Sequence, residues 1–194
     1  MLLKVMGVVY VLGPGGQYNH LIARRVIELG FDVRLRPAHS PLEEMCDALA
    51  FIIGGGPGRL SLGESVSQNL LRVVQNGSVP VLGICYGHQF IAFALGGRVE
   101  VAKKPEFGPV EVEVVERDEL FQNVPERFTA WLSHNDEVTA LPPSFRALAR
   151  SERSPFQAMA HQSAPIYGVL FHIEVEHTQY GREILSNFLR TSKG

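Results

Sequence analysis

The chain is poor in the features that mark special environments. Its 194 residues hold two cysteines, Cys46 and Cys85, too few for a disulfide framework, and a compartment that keeps thiols reduced leaves both free. Neither sign of charge is in excess: 18 Lys and Arg against 20 Asp and Glu give a formal net charge of −2, which argues against nucleic-acid or anionic-membrane binding by bulk charge. No apolar run approaches the roughly 20 residues of a membrane span. The apolar stretch from Val8 to Leu12 runs into Gly13-Pro14-Gly15-Gly16 with no small-residue cleavage pattern, so it reads as a buried strand rather than a signal peptide. The expected compartment is the cytoplasm. Internal repeats, low-complexity tracts and linkers are also missing.

What is present is the pattern of one medium α/β domain over residues 1–194. Residues 5–12 read as a strand; Ile22, Val26 and Leu29 then recur at helical spacing, with Asn19 placed to cap the helix and Gly30 to end it. Residues 33–35 and 50–53 read as the next strands. Val66, Leu70, Val73 and Val74 mark a helix stopped near Asn76-Gly77, and 79–84 a buried strand. Such alternation predicts a mostly parallel central sheet flanked by helices. The second half differs. Residues 110–114 alternate strictly, and short strands near 128–132, 147–150 and 157–160 predict an additional antiparallel portion. Residues 167–171 return to a buried strand, and Ile184, Leu185, Phe188 and Leu189 mark a closing helix.

The densest chemical signal is Gly83-Ile84-Cys85-Tyr86-Gly87-His88-Gln89. A buried strand enters it, a helical pattern leaves it, and glycines stand two residues to either side of the cysteine, as a sharp nucleophile turn requires. Cys85 is thereby placed at a helix N-terminus, where unsatisfied N–H groups and the helix dipole favour the reactive thiolate. A free cysteine is more often only a small buried hydrophobe, and the local spacing by itself leaves both readings open.

The wider pattern separates them. The segment from Gly83 to Gln89 resembles the nucleophile motif of class I glutamine amidotransferases, Tyr167-Gly168-Val169-Leu170-Phe171-His172-Ile173-Glu174 resembles their histidine–glutamate motif, and Gly55-Gly56-Pro57 resembles their oxyanion loop. Within that family, the stretches from Gly16 to Val26, from Ser133 to Val138 and from His177 to Gly181 are similar to the amidotransferase part of GMP synthases. The resemblance implies a flavodoxin-like fold and a triad of Cys85, His172 and Glu174. It implies an oxyanion hole made by the backbone N–H groups of Gly56 and Tyr86. Glutamine would be held by Gln89 and by a loop carrying Ser133, His134, Asn135 and Asp136. It further implies that ammonia from glutamine passes to a separate ATP-pyrophosphatase (synthase) subunit, since the chain stops soon after the closing helix. That partner would use ATP and Mg to aminate xanthosine monophosphate to GMP, with no cofactor in this chain.

The residues suit that chemistry. An amide is a poor electrophile, so its cleavage needs an activated nucleophile, a proton shuttle for the leaving ammonia and donors for the tetrahedral oxyanion. Cys85 would form a thioester, His172 would protonate the amine and then activate water, and Glu174 would orient the imidazole. Alternation along an extended strand is expected to point residues 172 and 174 the same way.

Other features take plainer readings. The glycines from Gly13 to Gly16 lack both the Lys-Ser/Thr of a phosphate loop and the dinucleotide spacing, so they form a strand-to-helix turn. The seven histidines include no pair on one helical face with a carboxylate in zinc-ligand spacing, so no metal is expected. Trp131 reads as a core or rim residue, and Lys103-Lys104 and Arg24-Arg25 as solvated charges. Leu170 stands where the GMP synthase branch usually has glutamine, Asn135 where it has glycine and Ile173 where it has proline; without proline's fixed φ, the 172–174 segment is expected to be less constrained. Two other functions compete: the glutaminase component of an anthranilate or aminodeoxychorismate synthase, and a non-catalytic regulatory module on the same fold.

Overall fold

Period-2 alternation sends the side chains of the first strands to the two faces of one sheet. In the computed structural model, which describes residues 7–192, β1 (Val8–Gly13) places Val9 and Val11 in a cluster with α1 (Asn19–Glu28) and α4 (Gly181–Thr191). Tyr10 and Leu12 join a second cluster with α2 (Gln68–Asn76) and α3 (Tyr86–Ala94). β3 (Ala48–Ile53) repeats the division, Ala50 and Ile52 on one side and Phe51 and Ile53 on the other. All eight side chains are at most 2% exposed, which is why these strands read as unbroken apolar runs.

The remaining strands are β2 (Val33–Pro37), β4 (Val81–Ile84), β5 (Arg98–Val114), β6 (Arg127–Ala140), β7 (Phe145–Arg150), β8 (Ala158–His161) and β9 (Ile166–Val169). They form one mixed sheet in the order β2-β1-β3-β4-β9-β8-β7-β5-β6. Pairing is parallel from β2 to β9 and antiparallel from β9 to β6. The C-terminal ends of β1, β3, β4 and β9 therefore share one edge, where open α/β sheets place their ligand crevices. No helix among the described residues is long and apolar enough to cross a membrane.

Helix ends follow local chemistry. The Ser67 hydroxyl accepts from Leu70 N at 3.4 Å to start α2, and Gly77, at φ +63°, ends it. Asn19 does not cap α1 as expected: it is the first helical residue, Tyr18 holds the cap position without a side-chain bond, and Asn19 Nδ2 instead donates to the Gly55 carbonyl at 3.2 Å. Residues 5 and 6 of the expected first strand lie outside the described residues.

Two larger differences concern the second half. The strand expected at 110–114 is the end of the 17-residue β5, and the expected loop of Ser133, His134, Asn135 and Asp136 lies inside β6. Polar residues there suggest a turn, but the hairpin lies at the sheet edge, where every second residue meets water and polar side chains suit a strand. The last buried strand ends at Val169, so His172 and Glu174 lie in the turn-rich connection to α4, not on a strand.

Phe188 on α4 is fully buried, its ring edge-on to Tyr167 at 6.1 Å. Phe188→Ala is expected to cost about 3–5 kcal/mol, read as a lower urea midpoint with an unchanged slope. A loss below about 1 kcal/mol would contradict this packing.

Candidate active site

Cys85 is the single residue between β4 and α3, and its backbone takes φ 53°, ψ −105°. Such a conformation costs an ordinary residue about 1–3 kcal/mol and persists only where its surroundings enforce it. Two glycines do so here. A β-carbon on Gly83 would overlap the Gly87 carbonyl, and one on Gly87 would overlap the Ile53 carbonyl. Cys85 N donates to Val169 O at 2.9 Å, tying the turn to β9. The thiol is buried, with Sγ 3.7 Å from the Ser133 carbonyl.

His172 reaches Cys85 from the segment after β9. Its Nδ1 lies 2.7 Å from Glu174 Oε1, and it lines the same cavity as the cysteine. Burial alone would lower its pKa, but the Cys85 and Glu174 hydrogen bonds and their charges outweigh burial and raise it to about 10. The ring is therefore held as an imidazolium beside the sulfur. With Ile173 where the resemblance leads one to expect proline, this segment is still firmly held: His172 N donates to Trp131 O at 2.9 Å, and the Thr178 hydroxyl donates to His172 O at 2.5 Å while accepting from Trp131 N at 2.9 Å. Ile173 itself is 2% exposed and packs into the core. Side-chain burial and three cross-links constrain the backbone where proline's ring would have.

The loop after β3 closes over this pair. A β-carbon on Gly55 would stand 3.4 Å from His172 Cε1 and 3.9 Å from Cys85 Cβ, in van der Waals contact with both. The neighbouring Gly56 is pressed against Pro14. Tyr86 opens α3, where the first N–H groups lack intrahelical partners. Gly56 and Tyr86, the residues expected to form an oxyanion hole, line one cavity together with Cys85.

Cys85 stands between two cavities. One, of about 220 Å³, is lined by Gly56, Arg59, Cys85, Tyr86, Gln89 and Asp136 among others. The second, of about 320 Å³, is lined by Gly15, Tyr18, Gly55, Cys85, Ser133 and His172 among others. A larger cavity of about 600 Å³ lies along β5, β6 and β7 and is lined by none of the triad. Its Arg127 and Arg150 are already paired with Glu111 and Glu113, so the cavities at Cys85 are the chemically relevant ones.

The structure gathers most of the expected binding residues. Gln89 Nε2 donates to the Asp136 carbonyl at 2.9 Å. Asp136 is 2% exposed; burial would raise its carboxyl, but bonds from Arg59 at 2.7 Å and Ser61 N at 3.3 Å hold it below the usual carboxylate range. Ser133 and Asn135 are exposed on alternate positions of β6. His134 is turned inward, its two ring nitrogens bonded to the Asp136 carbonyl and to Glu106, so the ring is not free to take substrate. His88 is fully buried against Gly168, and burial drags its pKa to about 4, so it stays neutral. Among the described residues no group of three or more His, Cys, Asp and Glu side chains could hold a metal ion.

Sequence reading missed three residues here. Tyr18 packs edge-on to His172 with ring centroids 5.6 Å apart, Arg59 pairs with Asp136, and Glu106 is fully buried behind His134. Tyr18 lies within the stretch from Gly16 to Val26 but was given no role there; Arg59 and Glu106 lie in no motif, and all three meet residues far away in the chain.

Comparison with known proteins agrees with the geometry. A profile of the class-I glutamine amidotransferase family matches residues 11–192. The chain is 42% identical over 184 residues to the A subunit of the glutamine-hydrolysing GMP synthase of Pyrococcus abyssi, covering 94% of this chain and 97% of that one. It is 44% identical over 186 residues to the glutamine-hydrolysing GMP synthase of Thermosipho melanesiensis, covering 95% of this chain but 36% of that protein. A crystal structure from Thermoplasma acidophilum, provisionally assigned as the A subunit of a GMP synthase, superposes with a TM-score of 0.89 at 36% identity, covering 97% of this chain and 94% of that one. The strained cysteine turn, the histidine–glutamate pair beside it and these relatives converge: the chain belongs to the class-I glutamine amidotransferase family.

Proposed function

We propose that this chain is the glutaminase component of a two-subunit GMP synthase, acting in the cytoplasm. The observation that carries the reading is Cys85, held in a strained turn against an imidazolium that Glu174 fixes at 2.7 Å. The thiolate attacks the side-chain carbonyl of glutamine. The carbonyl's π electrons move to oxygen, which the N–H groups of Gly56 and Tyr86 receive. Collapse of this intermediate breaks the C–N bond, His172 gives its proton to the departing nitrogen, and ammonia leaves a thioester on Cys85. Water then attacks the thioester with His172 as base, and glutamate departs as the thiolate reforms.

The cavity between Gln89, Arg59 and Asp136 would take the amino-acid end of glutamine, its buried carboxylate facing an ammonium group. Relatives named as the A subunits of GMP synthases, matched over nearly their full length, and a GMP synthase of which this chain matches about a third, support an acceptor site on another chain. That partner is an ATP-pyrophosphatase, and ATP and Mg act there.

Reconstitution tests the reading. With the partner, ATP, Mg and xanthosine monophosphate, glutamine is expected to yield glutamate and GMP in equal amounts, whereas the partner alone makes GMP only from an ammonium salt. Glutamate release that no synthase partner converts into GMP would overturn the assignment while leaving the glutaminase chemistry in place.

A further inference from the structure

Glu106 is a carboxylate with no water to face. It is 0% exposed and sits where the β5–β6 register jumps, from Val101 opposite Asp136 to Glu106 opposite His134. Its Oε2 receives His134 Nε2 at 2.9 Å and Gln157 Nε2 at 2.8 Å, and its Oε1 receives the Ser151 hydroxyl at 2.6 Å. Burial opposes its ionisation, but bonds from His134 and Ser151 outweigh burial and hold it below the usual carboxylate range. A buried carboxylate of this kind needs donors on both oxygens, and it has them.

The ring that meets this carboxylate is His134. Its Nδ1 lies 2.9 Å from the Asp136 carbonyl, and its Nε2 lies 2.9 Å from the Glu106 carboxylate. The Asp136 carbonyl can only accept, so Nδ1 must donate to it. A flipped ring would set carbon atoms against the two oxygens and leave both bonds unmade. The Asp136 carbonyl receives Gln89 Nε2 as well. It is thus held from two sides, while the Asp136 carboxylate is held by Arg59 and Ser61.

We propose that Glu106 is a positioning residue for the glutamine site, fixing the His134 ring, which in turn sets the Asp136 carbonyl and the Gln89 side chain. The inference rests on the glutaminase reading above. Neither Glu106 nor the His134 nitrogens need touch substrate. Their effect is to keep one wall of the 220 Å³ cavity in the shape glutamine requires. With a neutral amide at 106 the bond to His134 loses its charge assistance. The ring is then held less firmly, and the Asp136–Gln89 wall shifts.

The test is Glu106→Gln, read with the reconstituted complex and by labelling of Cys85. KM for glutamine is expected to rise about tenfold with kcat within about twofold, the signature of lost ground-state binding. Iodoacetamide, which needs only a reactive thiol, should alkylate Cys85 at the wild-type rate. A glutamine-shaped diazoketone, which needs the binding wall, should label it about tenfold more slowly. An unchanged KM, or a kcat that falls at constant KM, would overturn the proposal. If wild-type chain neither hydrolyses glutamine nor reacts with the diazoketone, the glutaminase reading fails instead. A second measurement does not depend on the variant folding: nitrogen NMR of histidine-labelled wild-type chain should show a proton on His134 Nδ1 that is protected from exchange, and a bare Nδ1 there would overturn the proposal.

Discussion

Cys85→Ala is expected to abolish glutamine-dependent GMP formation by the reconstituted pair and to leave ammonium-dependent formation at the wild-type rate. The sulfur is the only atom placed to form the thioester, and its loss leaves the oxyanion donors and the binding wall intact. Removing a nucleophile from a comparable triad costs about 10⁴ to 10⁶ in turnover, so glutamate release should fall to the detection limit. The other cysteine is the control. Cys46 is exposed, and its thiol faces its own helical turn at Glu43 O, so Cys46→Ser should leave turnover unchanged. Comparable glutamate release by the Cys85→Ala chain would remove this residue from the mechanism.

His172→Ala should be nearly as damaging, because the imidazole both protonates the departing amine and activates water. Glu174→Gln should be milder, since an orienting group usually contributes less than the members that move protons. The two differ further in pH dependence. The His172 cation, raised to about 10, persists through neutral pH and is lost as the pH climbs through that value, so wild-type activity should hold to the alkaline side. Glu174 is one of the groups that raise it, so Glu174→Gln should move the alkaline limb to lower pH. Steady-state glutamate release across pH 6–11 measures this. An unmoved limb would mean that Glu174 does not set the charge state of the imidazole.

The parallel half of the fold was legible because its strands are buried on both faces and flanked by amphipathic helices, a pattern that leaves little choice of architecture. The nucleophile turn was legible for a related reason: Gly83 and Gly87 are demanded by backbone overlap, and such demands survive as spacing. The edge hairpin was not. Ser133, His134, Asn135 and Asp136 look like a turn until β5 supplies the pairing that makes them a strand. The histidine–glutamate segment was misread in a different way, its residues recognised and its backbone assigned to a strand that ends at Val169. Its stiffness comes from Thr178 and Trp131, contacts that no local pattern announces. The roles of Arg59, Tyr18 and Glu106 went unread for the same reason, since each acts on a residue far away in the chain.

The place of β9 in the sheet carries a consequence for how the protein is born. This strand comes last in sequence, yet it lies between β4 and β8, so until residues 166–169 have left the ribosome the parallel and antiparallel portions have no strand to join them. Nascent chains fold from the N-terminus as they emerge, so the Cys85 turn can begin to form early but lacks its anchor on Val169 and its base on His172. The insertion that completes the sheet therefore also switches on the thiol. A ribosome-bound fragment that ends before β9 carries the nucleophile in an inert state, and reactivity arrives in the same step as the finished fold.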